Sequence, residues 1–169
     1  MDSPSSLPSS IGGYRPCREI GRGAMGIVYE AEEPLTSRLI ALKVLPGAFA
    51  LDRRAIERFH REAQAVSRIE HPSIVPVYRI GCDHGIHFMA MRRIEAPSLR
   101  ELLRSGIPLP VHDVVQAFAE VAEALGTAHA AGVVHRDVKP SNLLWSGKGT
   151  LWLGYFGVAC LEGAASLTL

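Results

Sequence analysis

The chain has 169 residues, 47% of them apolar and 21% charged, enough to bury a core in one domain or in two small lobes. Eighteen basic and seventeen acidic side chains leave a formal charge of +1, so bulk electrostatics give no reason to invoke nucleic acid or a membrane surface as partner. The three cysteines, Cys17, Cys82 and Cys160, are odd in number, far apart and in no metal-ligand spacing. They are expected to be ordinary packing residues of a reduced, cytoplasmic chain.

The opening "MDSPSSLPSSIGG" has neither a basic start nor an apolar run, which excludes a signal peptide and predicts a disordered Ser/Pro tail over residues 1–10. From Tyr14 to Leu45 the pattern is that of strands. Ile20 leads into glycines, Ile27-Val28-Tyr29 follows, and Leu39 to Leu45 forms another apolar-rich run. The period then changes: Ile56, Phe59, Ala63, Val66 and Ile69 recur at intervals of three and four, an amphipathic helix ended by His71-Pro72. Two further strands are predicted in "IVPVYRI" and "IHFMAM". After "RRIEAPS" come a short helix in "LRELLRSG" and a long one from about His112 to Ala131, with Val114, Phe118, Val121 and Leu125 on its core face. The apolar run from Leu143 to Leu161 is broken by Lys148 and several glycines, too interrupted to span a membrane. It reads as a hairpin turning at "SGKG". A strand-rich first half and a helical second half predict an α+β, two-lobed fold, with lobes at 11–91 and 97–169 and a connection at 92–96.

"GRGAMGIV" places Gly21, Gly23 and Gly26 in a G-x-G-x-x-G-x-V pattern, where small residues let backbone N–H groups approach phosphate oxygens. A dinucleotide-binding turn shares this spacing but needs a helix straight after the last glycine; here Ile27-Val28-Tyr29 continues as strand. A glycine-rich hairpin without ligand is the plain alternative. Lys43, within "IALKVL", lies among apolar residues where an ammonium is costly to bury without an anionic partner. Glu62 stands close in helical phase to Phe59 and Val66, so its carboxylate faces the apolar side and makes a natural partner for Lys43. Its other reading is a solvated residue pairing with Arg58 one turn earlier.

The segment "HRDVKPSNLL", His135 to Leu144, follows the long helix in a predicted loop. It resembles the catalytic loop of protein kinases, and the order of glycine loop, strand lysine, helix glutamate and catalytic loop is that family's order. The histidine-arginine-aspartate sequence argues against small-molecule phosphotransferases of the same fold. Lys139, two residues after Asp137, resembles the Ser/Thr-specific branch, and the whole from about Ile11 to Leu169 resembles bacterial Hanks-type kinases. The resemblance implies a protein-kinase-like two-lobed fold that binds ATP and transfers its γ-phosphate to Ser/Thr hydroxyls. Asp137 would accept the hydroxyl proton, Lys139 would steady the phosphoryl group, and Asn142 would hold Mg²⁺. Lys43 would grip the α- and β-phosphates with Glu62 fixing it. Val28, Ala41 and Leu144 would sandwich adenine, and Met91 would stand ahead of a hinge at Arg92-Arg93-Ile94. Arg136 would pair with a phosphorylated activation loop, for which Ser166 and Thr168 are weak candidates.

The resemblance fails at one residue. "LGYFGVA" occupies the place of the family's D-F-G, with Tyr155 where a metal-binding aspartate is expected. A phenol of pKa about 10 is a poor ligand for Mg²⁺ at neutral pH, so the expected Mg²⁺ site is weakened or absent. The family's A-P-E motif and most of its helical lobe would lie beyond Leu169, which reads as a truncated kinase with impaired catalysis. Two other readings stay open: a pseudokinase-like module that binds a nucleotide or an unknown protein partner, and a non-functional gene fragment.

Overall fold

The computed structural model describes residues 7–23, 26–49, 51–147 and 149–154. Residues 1–6 of the predicted tail, Ala24, Met25, Ala50, Lys148, and everything from Tyr155 onward, including Cys160, Ser166 and Thr168, lie outside the described residues. Two compact units divide the chain: one holds residues up to Glu57 together with Val77–Arg93, the other Arg58–Pro76 together with residues from Ile94 on.

Five antiparallel strands make the sheet of the first unit: β1 (Arg15–Gly23), β2 (Gly26–Glu33), β3 (Arg38–Val44), β4 (Val77–Asp83) and β5 (Ile86–Arg92), in the order β1-β2-β3-β5-β4. The strand expected from Ile74 starts three residues later. Pro76 has no N–H to give to a ladder, and Ile74 and Val75 turn instead to Leu153 of the second unit, Val75 N donating to the Leu153 carbonyl at 3.0 Å.

Register decides which side chains share a face, because residues directly opposite in a ladder point the same way. Tyr29 is opposite Leu42, Ala31 opposite Ile40, Leu42 opposite Ala90 and Val44 opposite Phe88. With Ile11 and Tyr14 these residues form one buried cluster. The segment before β1 is held over that face by specific bonds: Gly12 N donates to Asp83 Oδ2 at 2.7 Å, and Arg79 donates to the Gly12 carbonyl at 3.0 Å. The Phe88 ring lies edge-on to Tyr14, with centroids 6.1 Å apart. Its fit explains two glycines. A Cβ at Gly12 would come within 2.1 Å of the ring and one at Gly81 within 2.7 Å, so neither position accepts a side chain without moving Phe88.

Helix α1 (Arg53–Val66) starts at Asp52, whose Oδ1 accepts from the backbone of Arg54 at 2.9 Å and Ala55 at 3.3 Å, satisfying N–H groups that a helix start leaves open. Its buried residues are Ala55, Phe59, Ala63 and Val66. Ile56, expected on that face, is only partly buried.

In the second unit α2 (Leu99–Ser105) opens with a capping box: Glu101 N donates to Ser98 Oγ, Ser98 N donates to Glu101 Oε2 at 2.7 Å, and Gly106 closes the helix in the left-handed region. Helix α3 (Val111–Ala130) buries Ala117, Val121, Ala124 and Ala128. This corrects the expected face: Phe118 is exposed, Val114 and Leu125 are partly buried, and the buried stripe is mostly alanine. Small side chains let backbones approach closely, and α3 packs on the hairpin formed by β6 (Leu143–Trp145) and β7 (Leu151–Leu153). That hairpin stands where the "SGKG" turn predicts it. Among the described residues no helix is long and apolar enough to cross a membrane. The cysteines also need correcting: Cys17 and Cys82 are exposed rather than packed, each lying on an edge strand, β1 or β4.

Phe88 is 1% exposed, so Phe88→Ala leaves a cavity walled by two glycines that cannot fill it. We expect a loss of about 3–5 kcal/mol, read as a lower urea midpoint with an unchanged slope.

Candidate functional site

The glycine stretch is a hairpin, not a strand-to-helix turn. Gly23 at the end of β1 is opposite Gly26 at the start of β2, and the chain continues as strand. Gly26 has φ 138°, and a Cβ there would stand 2.3 Å from the Val44 carbonyl oxygen; only glycine fits. Gly21 lies beside Val28, opposite it in the ladder.

Val28 is opposite Lys43, Lys43 opposite Met89, and Ala41 opposite Met91. Val28, Ala41, Lys43 and Met91 therefore share the sheet face that turns away from the Phe88 cluster, and all are buried. Lys43 is 5% exposed, an ammonium placed where it needs anionic company. The register brings together on this face four residues that the sequence selects separately.

Glu30 is a fifth residue of that face, opposite Ala41 and 8% exposed, and sequence reading misses it. Arg18 binds it with both nitrogens, Nε to Oε1 and Nη2 to Oε2, each at 3.0 Å, and Arg93 Nε pairs with Oε2. The hydrogen bonds from Arg18 hold the Glu30 carboxyl below its ordinary value, outweighing burial, and the charges of Arg93 and Arg18 add to them. The period of two was the available signal: an acid two residues after Val28 must sit on the same apolar face and demand a cation. Arg93 of the expected hinge is that cation.

In the second unit the chain after α3 runs through His135 and Asp137 to a single 3-10 turn at Pro140–Asn142 and into β6. His135 is 1% exposed, and its Nε2 lies 3.0 Å from the Gly154 carbonyl. A carbonyl only accepts, so Nε2 carries the proton and Nδ1 accepts from Asp137 N at 3.2 Å. Asn142 Nδ2 donates to the Asp137 carbonyl at 2.7 Å and to Asp137 Oδ2 at 2.9 Å. Lys139 Nζ is 2.7 Å from the same Oδ2. Burial pushes the Asp137 carboxyl up, but hydrogen bonds from Lys139 and Asn142 and the charge of Lys139 outweigh it, so the group titrates below its ordinary value. At neutral pH Asp137 is a carboxylate, the form a proton acceptor requires. Asp137, Lys139 and Asn142 thus come together as one cluster.

Glu62 pairs with Arg136 at 3.4 Å, Glu62 being the more buried of the two. Sequence reading assigns Arg136 a different partner, on a segment outside the described residues. Ile94 follows β5 and is partly buried; Leu144 lies in β6.

A family model, "Protein kinase domain", matches residues 14–167. The chain belongs to the protein kinase family. This kinase domain is 38% identical over 167 residues to the serine/threonine-protein kinase PknD of Mycobacterium tuberculosis, covering 99% of this chain and 25% of the relative. It is 34% identical over 157 residues to PrkC of Bacillus subtilis, covering 93% of this chain and 24% of that one. The solved kinase domain of M. tuberculosis PknI superposes with a TM-score of 0.78 at 35% identity, over 89% of this chain and 61% of that one. The chain therefore spans about a quarter of the length of these curated relatives, and its fold is the protein kinase fold: α+β, with a five-stranded antiparallel sheet.

The family uses ATP with Mg²⁺, an ion that demands hard oxygen donors, carboxylates above all. Asn142 has its amide nitrogen turned to Asp137 and offers one neutral oxygen, Oδ1. Asp137 Oδ2 is engaged by Lys139 and Asn142. The residue after Gly154 is Tyr155, and among the described residues no three His, Cys, Asp or Glu side chains converge as a metal site. These donors do not fit a tightly held Mg²⁺.

Because the folded Glu30 carboxyl lies below its ordinary value, it adds stability above the unfolded value of about 4.3, and that stability is lost as pH falls through the folded value. Glu30→Gln should cost about 1–3 kcal/mol at pH 7, with the gap to wild type closing as pH falls below about 4.3; denaturant titrations at several pH values check both.

Proposed function

We propose that this chain binds ATP as a protein kinase domain of the Ser/Thr type and transfers its γ-phosphate slowly at most. The observation that carries the reading is the buried Lys43 on one sheet face with Val28, Ala41 and Met91. A ligand that brings anionic oxygens to an ammonium and a flat apolar ring to Val28 and Ala41 matches that face, and ATP has both parts. Gly21, Gly23 and Gly26 supply the closely approachable backbone for its phosphates. By the family resemblance Glu62 is the expected partner of Lys43, and Ile94 and Leu144 are expected beside adenine. On the transfer side, the ionised Asp137 is the base for a Ser/Thr hydroxyl, and Lys139 steadies the phosphoryl group.

Tyr155 favours a second reading for the same chemistry: binding without turnover. Phosphoryl transfer depends on neutralising charge on the γ-phosphate, and the phenol at 155 brings no carboxylate to hold a metal there. Nucleotide binding does not need that step.

Ligand that binds only the native state stabilises it by about 2.7 kcal/mol at a hundredfold excess over Kd. ATP should therefore raise the melting temperature of the wild-type chain by several degrees and leave Lys43→Met unmoved. Equal shifts for the two proteins, or none for either, would refute the reading; γ-labelled ATP with a generic protein substrate then tells slow transfer from none.

A further inference from the structure

We infer that Glu30 is a positioning residue for the nucleoside half of ATP: through Arg18 and Arg93 it fixes the end of the sheet face that lies farther from the glycine turn. This rests on the ATP-binding reading above and concerns the first unit alone.

Register orders that face into rows. Gly21 is opposite Val28, Val28 opposite Lys43 and Lys43 opposite Met89. One row farther from the turn between Gly23 and Gly26, Arg18 is opposite Glu30, Glu30 opposite Ala41 and Ala41 opposite Met91. Successive residues of one face are about 6.6 Å apart along a strand. The Lys43 ammonium marks the phosphate side, so a ring resting on Val28 and Ala41 extends toward the row that holds Glu30.

Glu30 is poorly suited to touch that ring itself. It is 8% exposed, and both oxygens are taken: Arg18 Nε on Oε1 and Arg18 Nη2 on Oε2, each at 3.0 Å, with Arg93 Nε also on Oε2. Its effect is exerted through the two segments to which those guanidiniums belong. The first is β1, whose ladder with β2 shifts register between Pro16 and Arg18 and again between Glu19 and Gly21. Such interruptions let a strand bend, and the fork of Arg18 on Glu30 binds β1 to β2 between them. The strand steadied in this way carries Gly21 and Gly23. The second segment is the end of β5. Arg93 stands two residues after Met91 and directly past Arg92, the last residue of that strand, so its bond to Glu30 holds the chain where the ladder stops. The side chain of Arg93 is 18% exposed, which shields the pair from water. A carboxamide in place of the carboxylate keeps the volume but turns one acceptor into a donor aimed at a guanidinium, and so loosens both segments at once.

The test is calorimetric titration of adenosine and of ATP into the whole chain, Glu30→Gln, Arg93→Gln and the double variant, each first shown to unfold cooperatively in urea. We expect Glu30→Gln to bind both ligands about tenfold more weakly, the size of one lost charge-assisted hydrogen bond. The double variant should match Glu30→Gln within about twofold, because the two residues act as one unit. Arg18→Gln removes one link from a side chain that is 59% exposed, so it keeps the fold and should weaken both ligands by one common, smaller factor. A loss in Glu30→Gln confined to ATP would overturn the inference, since Glu30 would then act on the phosphates. Unchanged affinity for both ligands would overturn it whatever the stability of the variant, as would additive losses in the double variant. A wild-type chain that binds ATP but no adenosine would overturn it while leaving ATP binding intact. Failure of the wild type to bind ATP would remove the ATP-binding reading and this inference with it.

Discussion

The second unit depends on how the backbone at Gly154 is held. Its N–H reaches the Asn142 carbonyl and its carbonyl reaches His135, so the end of β7 and the two ends of the catalytic loop are tied at one place. A buried histidine does this well because it can be neutral and bifunctional, donating from Nε2 and accepting at Nδ1. The acceptor side captures the backbone of Asp137, and Asn142 captures it from the other direction. Every distance that matters for Asp137 follows from these bonds. The leucines around them, Leu143, Leu151 and Leu153, are almost wholly buried and keep water from competing.

The first unit meets a different constraint: one face of its sheet buries charge. The Phe88 side has an apolar cluster at its centre, and its charged groups Arg79 and Asp83 tie down Gly12. On the other side Glu30 and Lys43 sit among Val28, Ala41 and Met91. Glu30 is compensated by two guanidiniums, which suit a carboxylate because their donors lie in one plane. The consequence is a preorganised face: its charges are fixed before any ligand arrives, and no side chain on it needs to be drawn in from solvent.

How much of this could be read from the chain depends on whether a feature is local. The glycine spacing, the lysine within an apolar strand and the "HRDVKPSN" loop are short stretches whose meaning survives without knowing the fold, and the α+β class follows from the change of period near Ile56. The Arg18-Glu30-Arg93 cluster is a different matter, since Arg93 finds Glu30 only once β5 has paired beside β3. The long helix misleads for another reason. Phe118 and Ala117 both satisfy a helical period, and bulk favours Phe118, but the buried stripe of α3, which packs on β7, is Ala117, Val121, Ala124 and Ala128. Ile74 and Val75 look like strand and are bonded in extended form, though to β7 rather than to the sheet, because Pro76 ends the possibility of joining it.

The strap from Ile11 to Tyr14 bears on how the molecule is made. Gly12 and the Asp83 carboxylate that holds it are 71 positions apart in the chain, and the phenylalanine it covers comes later still. During synthesis, which proceeds at about 5–20 residues per second, the strap leaves the ribosome several seconds before its seat exists. Pairings of such long range are late events in folding. Ile11 and Tyr14 must therefore wait exposed while β1, β2 and β3 form their meander, and the nascent sheet must keep its Phe88 side accessible until the last strand arrives.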